Sequence, residues 1–183
     1  MSSAGTPLRL FFAVRPGPTA RDALEERARS LSLDPGAKLV PRNNYHVTLA
    51  FIGEVDASQL STLRLIGAAQ TAPALALKFE AFEYWPKPEV VVAAARTIPD
   101  GLQALWRQLH HELAAHRWAL DPKRLRPHVT LARKVSQTPV LQAMSPVNWI
   151  AREFSLMRSE LGAPQAAYTV VDTWPLLYDS EKQ

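Results

Sequence analysis

Apolar and polar positions alternate along much of this chain, and the period changes often enough to divide it into short strands and three helices. Leu8, Leu10, Phe12 and Val14 make one wholly apolar face of a first strand, and Arg9, Phe11, Ala13 and Arg15 a mixed one. Pro16-Gly17-Pro18 breaks it. Thr19 is placed to cap a helix running to about Leu33, on which Ala20, Leu24, Ala28 and Leu31 fall near helical spacing. Lys38-Leu39-Val40 reads as a short strand, and Pro41-Arg42-Asn43-Asn44 as a turn into the next strand, which Gly53 ends. Asp56 or Ser58 caps a second helix to about Gln70, with Leu60, Leu63 and Ile66 on one side. Leu75 to Trp85 reads as one long strand, joined through Pro86-Lys87-Pro88 to a partner over Glu89 to Ala95. Pro99-Asp100 opens a third helix to about Trp118, with Leu102, Leu105, Trp106, Leu109 and Leu113 as its apolar stripe. Pro122 and Pro127 bracket a basic loop before another strand. Two more strands cover about Trp149 to Glu160 and Ala167 to Trp174, with Gly162-Ala163-Pro164 turning between them.

No strand is long enough and apolar enough on both faces to argue a buried parallel sheet, and no GxGxxG fingerprint is present. The pattern predicts an α+β protein of antiparallel sheets with helices packed outside. A length of 183 residues suits one domain, or two small lobes sharing a core. The composition, 47% hydrophobic and 21% charged, is that of a soluble globular protein. There are no cysteines, which rules out disulfides and thiol nucleophiles and fits a reducing compartment. No apolar run approaches the length of a membrane span, so no membrane partner and a cytoplasmic location are expected. The net charge of +4 fits an ordinary basic protein as well as one drawn to phosphate-bearing ligands. What sharpens it is placement, since the densest basic cluster, Lys123, Arg124 and Arg126, lies immediately before the feature that follows.

One tetrapeptide occurs twice. His46-Val47-Thr48-Leu49 recurs as His128-Val129-Thr130-Leu131, each time on a predicted strand. Strict alternation puts His46 and Thr48 on one face and Val47, Leu49 and Phe51 on the other. His128 and Thr130 likewise share a face opposite Val129 and Leu131. Each strand thus presses apolar residues on a core and holds up an imidazole and a hydroxyl. Two imidazoles facing one cleft suit a reaction in which one proton is removed and another supplied, because both protonation states of histidine are accessible near neutrality. Threonine hydroxyls beside them can donate to oxygens that gain charge in the transition state. A metal site would be short of ligands, and neither motif carries a serine triad. His110, His111 and His116 lie among polar residues of the third helix and read as solvated positions.

With these residues the chain resembles the 2H phosphoesterase superfamily, named for two His-x-Thr-x motifs. It is similar in particular to the bacterial RNA 2′,3′-cyclic phosphodiesterase branch, first named 2′-5′ RNA ligase. Matching stretches run from Arg9 to Val14, from Asn44 to Gly53, from Arg126 to Arg133, and over Phe154 to Leu161 with Tyr168. The resemblance implies a single domain over residues 1–183, bilobal and pseudo-two-fold symmetric. Two antiparallel sheets with outer helices would surround a central cleft, and the termini would be short and flexible. It implies a monomer that hydrolyses terminal RNA 2′,3′-cyclic phosphate to a 2′-phosphomonoester without metal or cofactor. Reversible 2′-5′ ligation is the same chemistry run backwards. By motif position His46 is the general acid and His128 the general base, while Thr48 and Thr130 hold phosphoryl oxygens. Arg133 binds phosphate, for which a guanidinium is well shaped.

One detail strains this assignment. Arg133 follows His128 by five, so strict alternation points it away from the cleft unless the strand ends or bulges near Ala132. Its other reading is a surface ion pair. Phe11, a further candidate for substrate binding, either stacks a base or packs beside the cleft, packing being the commoner fate of an apolar side chain. Lys123, Arg124 and Arg126 either steer an RNA backbone or form a solvated basic loop. Alternative functions are a cyclic phosphodiesterase for small nucleotides or ADP-ribose cyclic phosphate, and a non-catalytic module that binds nucleotides or RNA ends.

Overall fold

A computed structural model describes residues 7–121, 123–160 and 167–177. Strand β1 (Leu8–Val14) sits inside a four-stranded antiparallel sheet. Helix α1 (Pro18–Arg29) follows, then the short β2 (Lys38–Leu39) and β3 (Val47–Val55). Helix α2 (Leu60–Ala68) leads to β4 (Leu75–Phe79), β5 (Ala81–Trp85) and β6 (Val90–Ala94). Helix α3 (Asp100–Ala115) precedes β7 (His128–Arg133), β8 (Val147–Ala151), β9 (Glu153–Glu160) and β10 (Ala167–Pro175). One sheet has the order β10-β9-β1-β3, the second β2-β7-β6-β5, and β4 pairs with β8 in a small third sheet. Every pair of these strands is antiparallel, as the α+β reading expects.

Both large sheets turn one face to a common core. Leu10, Phe12, Val14, Val47 and Leu49 fill it from the first sheet, and Ala93, Val129 and Leu131 from the second. The helices close it with the stripes their sequences carry, Ala20, Leu24 and Ala28 on α1 and Leu102, Leu105, Leu109 and Leu113 on α3. Each such leucine stabilises the fold by roughly 1.5–3 kcal/mol relative to exposure. Gly67 is fixed by close approach, because a Cβ there would lie 2.4 Å from the ring of Trp174.

Two predicted strands prove to be four. The segment from Leu75 breaks at Glu80 and the segment ending at Glu160 breaks at Arg152. In each, one half joins the small sheet and the other enters a large one. A strand that turns a corner between sheets keeps its side-chain alternation, so the pattern carries no mark of the corner. Helix α1 starts at Pro18, with Gly17 rather than Thr19 at the cap, and ends at Arg29. Asp56 does act as a cap, accepting from the Ser58 N–H at 2.8 Å. Helix α3 stops at Ala115 because Arg117 takes a φ of 66°. The Trp118 N–H then bonds the Leu113 carbonyl and the Arg117 N–H that of Ala114, a Schellman closure. That closure turns the chain away from the helix axis toward residues 119–121. The predicted turn at Gly162-Ala163-Pro164 lies outside the described residues.

Candidate active site

His46 and His128 are held by the same local device. The Nδ1 of His46 lies 2.7 Å from the carbonyl oxygen of Asn44, and that of His128 lies 2.7 Å from the carbonyl oxygen of Arg126. In both, the acceptor is two residues upstream in the chain's approach to the motif strand. A backbone carbonyl only accepts, so each ring donates from Nδ1 and keeps the lone pair of Nε2 for the cleft. The tautomer is thereby set by the backbone.

Apolar residues pack under both rings on the cleft side of each sheet. Phe11, Ala13 and Met157 form a small buried cluster with Tyr168 against it. Phe11 lies 4.9 Å from the His46 ring and Tyr168 5.1 Å, the latter edge-on. Under His128 the corresponding cluster is Val90, Val92 and Ala94 with Trp85, whose ring is 4.4 Å from the imidazole. Burial is therefore the main influence on both histidines and disfavours the imidazolium. His46 is pushed down to about 4, against the opposing effect of its bond to Asn44, with His128, Arg133 and Arg15 adding positive charge. His128 is also lowered, chiefly by burial, with Arg126 and Arg133 adding to it and Glu83 opposing. Both rings are therefore held in the neutral form near neutrality.

The two motif strands share a second device. In β3, Phe12 faces Ala50 and Ala13 faces Thr48, which leaves Leu49 without a residue opposite. In β7, Val91 faces Ala132 and Val92 faces Thr130, which leaves Leu131 as the extra residue. Each strand thus bulges at the leucine of its tetrapeptide, and the alternation shifts by one beyond it. Leu131 and Ala132 are both buried, and Arg133 is exposed on the face of His128 and Thr130. The bulge supplies the reversal that Arg133 needs, and its charge is felt by both histidines. None of the ion pairs among the described residues involves Arg133.

The same shift corrects the expectation for Phe51. Strict alternation puts it on the core face with Val47 and Leu49, yet it is 47% exposed while Ala50 is buried. Phe51 and Arg133 occupy equivalent places, two residues past the bulge in each motif strand.

Other predicted residues fall as follows. Thr48 and Thr130 are half-buried on the histidine faces. Phe11 is 3% exposed and braces the His46 ring, which leaves no face open to a base. In the basic loop, Arg126 bonds Glu83 at 2.8 Å and lies over Trp85, and Lys123 pairs with Asp121 at 2.8 Å. Two residues escaped the sequence reading. Arg15, the residue after β1, bears on His46, and its signal was present, since the alternation of Phe11 and Ala13 runs on to it in the sequence. His110 is not a solvated position. Its Nε2 lies 3.0 Å from the Leu49 carbonyl and its ring 4.1 Å from Trp106. His111 and His116 are exposed, as expected.

A cavity of about 1120 Å³ opens from Thr48 and His128 and runs to Trp106 and His110 on α3. No described helix is long and apolar enough to cross a membrane.

The family model of the 2′-5′ RNA ligase superfamily matches residues 19–163. The RNA 2′,3′-cyclic phosphodiesterase of Escherichia coli is 30% identical over 173 residues, covering 93% of this chain and 97% of that protein. The RNA 2′,3′-cyclic phosphodiesterase of Thermus thermophilus is 32% identical over 181 residues, covering 92% of this chain and 90% of that protein. Among solved structures, E. coli LigT complexed with 3′-AMP matches with a TM-score of 0.86 at 27% identity, covering 93% of this chain and 98% of that one.

Proposed function

The chain belongs to the 2′-5′ RNA ligase superfamily, and we propose that it hydrolyses the 2′,3′-cyclic phosphate at the end of an RNA to a 2′-phosphomonoester. One observation carries the reading: two imidazoles, each with Nδ1–H tied to a backbone carbonyl, hold a free Nε2 over the cleft face they share with Thr48 and Thr130.

In this mechanism Nε2 of His128 takes a proton from water as the water oxygen bonds to phosphorus. The P–O3′ bond breaks, and Nε2–H of His46 delivers a proton to the departing O3′. Thr48, Thr130 and Arg133 hold the nonbridging oxygens as their charge grows. The order of acid and base follows the superfamily's motif order. With its pKa near 4 in the free protein, His46 is protonated when the anionic phosphate arrives beside it and offsets burial and the nearby arginines. The water oxygen has thereby taken the place of O3′ on phosphorus, and proton exchange restores both rings. The proton transfers call for no metal. A 5′-hydroxyl in place of water would give a 2′-5′ linkage through the same groups. This reading places the substrates, RNAs ended in a cyclic phosphate, in the cytoplasm.

The test is an oligonucleotide with a 2′,3′-cyclic phosphate end, incubated with the protein in excess EDTA. Conversion to a 2′-phosphate supports the reading. A 3′-phosphate product, or activity that vanishes with EDTA and returns with a divalent ion, contradicts it.

A further inference from the structure

The carbonyls that fix the tautomers of the two histidines are not held alike. Asn44 ends a single turn of 3-10 helix, Arg42–Asn44. Its N–H bonds the Pro41 carbonyl at 2.8 Å, and the Tyr45 N–H bonds that of Arg42 at 3.2 Å. The backbone itself thus holds the carbonyl that meets His46. Arg126 lies outside any helix or strand. Leu125 before it is buried in the core, and the Pro127 carbonyl after it accepts from the Ala95 N–H at 3.0 Å. Between these anchors, the side chain of Arg126 carries the contacts.

Nη2 of Arg126 bonds Oε2 of Glu83 at 2.8 Å, and its guanidinium carbon lies 4.7 Å from the Trp85 ring centre. The Trp85 Nε1–H donates to the same Glu83 oxygen at 2.8 Å. Its ring packs 4.4 Å from the imidazole of His128, whose Nδ1–H returns to the Arg126 carbonyl. The contacts therefore close a circuit that begins and ends at the imidazole. Sheet register puts its members on one face. Glu83 in the edge strand β5 faces Val92 of β6, and Val92 faces Thr130 of β7. Trp85 is two residues along from Glu83, so it shares that face with Thr130 and His128. The Arg126 and Glu83 side chains are 64% and 38% exposed, and an ion pair so open adds little to stability. What it holds in place accounts for it better.

We infer that Glu83, Trp85 and Arg126 are positioning residues for His128, a clamp that keeps Nε2 of that ring aimed into the cleft. The role in turnover rests on the cyclic phosphodiesterase reading, in which His128 is the base. The clamp does for an irregular loop what the helical turn does for Asn44. Its charges also bear on the ring. Glu83 favours the imidazolium, Arg126 and Arg133 disfavour it, and His46 opposes it when protonated.

The test uses a cyclic-phosphate-ended oligonucleotide with the wild type, Glu83→Ala, Glu83→Gln, Arg126→Ala, and Glu83→Ala combined with Arg126→Ala. Each single alanine variant should lose roughly 10- to 100-fold in kcat through misplacement of the base, with KM and salt dependence little changed. Glu83→Gln still accepts from the indole and the guanidinium and should recover part of the loss. The double variant should fall no further than the worse single, because the contacts act as one unit. Unchanged kcat in Arg126→Ala, with a raised KM and a flatter salt dependence, would make Arg126 an RNA-backbone contact and overturn the inference. Heteronuclear NMR of the imidazole nitrogens reads the clamp without turnover, His128 being assigned by the signals lost in His128→Gln. The wild-type ring should carry its proton on Nδ1, and both single alanine variants should mix in the Nε2–H tautomer. The ring should titrate at lower pH in Glu83→Ala and at higher pH in Arg126→Ala. A ring that stays Nδ1-protonated in both variants overturns the inference. If the wild type opens no cyclic phosphate, the phosphodiesterase reading fails, and the tautomer alone decides the clamp.

Discussion

Nε2 of His110, on α3, lies 3.0 Å from the carbonyl oxygen of Leu49, the extra residue in the β3 bulge. The equivalent bulge residue in β7, Leu131, has its carbonyl satisfied by the Val40 N–H at 2.8 Å. A bulge leaves a backbone group out of the ladder, and an unmet buried carbonyl is costly. Here β7 borrows a donor from the short strand beside it. β3 is the edge of its sheet and takes a side chain from a helix. Removing that donor in His110→Phe should cost roughly 1–3 kcal/mol in urea denaturation, and His110→Gln, which keeps an N–H, should cost less. Equal stability of His110→Phe and wild type would contradict this role.

Gly67→Ala should destabilise the protein by roughly 1–3 kcal/mol, since the new Cβ lands in the ring of Trp174 and the pair must move apart. In a chain of this size that lowers Tm by about 2–12 °C. A melt unchanged from wild type would show that Trp174 has room to retreat.

The pH dependence of kcat/KM follows from the state of the two rings. Turnover needs one proton on the pair, so the profile is bell-shaped. Burial lowers both histidines, His46 to about 4. Both limbs therefore lie on the acid side of about 6.5, the usual imidazole value. Arg133 disfavours the imidazolium at both positions, so Arg133→Ala should move both limbs to higher pH. The same variant should lower kcat/KM about 10- to 150-fold through the lost charge-assisted hydrogen bonds to phosphate. Unmoved limbs would place Arg133 outside the electrostatics of the pair.

Acid and base separate by leaving group. With bis(p-nitrophenyl) phosphate, whose leaving group departs without a proton, His46→Ala should recover most of its activity and His128→Ala should not. The reverse pattern would exchange the two roles.

Much of this was legible in the sequence, and what was hidden has a physical reason. The doubled tetrapeptide marked His46, Thr48, His128 and Thr130, because period-2 alternation holds as far as the threonine. Past that point alternation misleads. It buries Phe51 and turns Arg133 away, since a bulge adds one residue and writes no residue type of its own. The residues that make the bulges tolerable, His110 and Val40, lie far from the motifs they serve or outside them altogether. Corners at Glu80 and Arg152 were hidden for a similar reason, as a strand keeps its alternation while changing sheets. Arg15 stood in plain view just after β1, and only folding brings its charge to bear on His46.

The central claim is that His46 and His128 work as one acid–base pair on a cyclic phosphate. The most direct measurement is kcat/KM for a cyclic-phosphate-ended oligonucleotide with His46→Ala, His128→Ala and the double variant, each checked for its fold by circular dichroism. Each single variant should fall by about 10²–10⁴-fold, and the double should fall far less than the product of the two. A folded single variant that keeps activity within about threefold of wild type, where a general acid or base is worth at least about 10²-fold, would contradict the account.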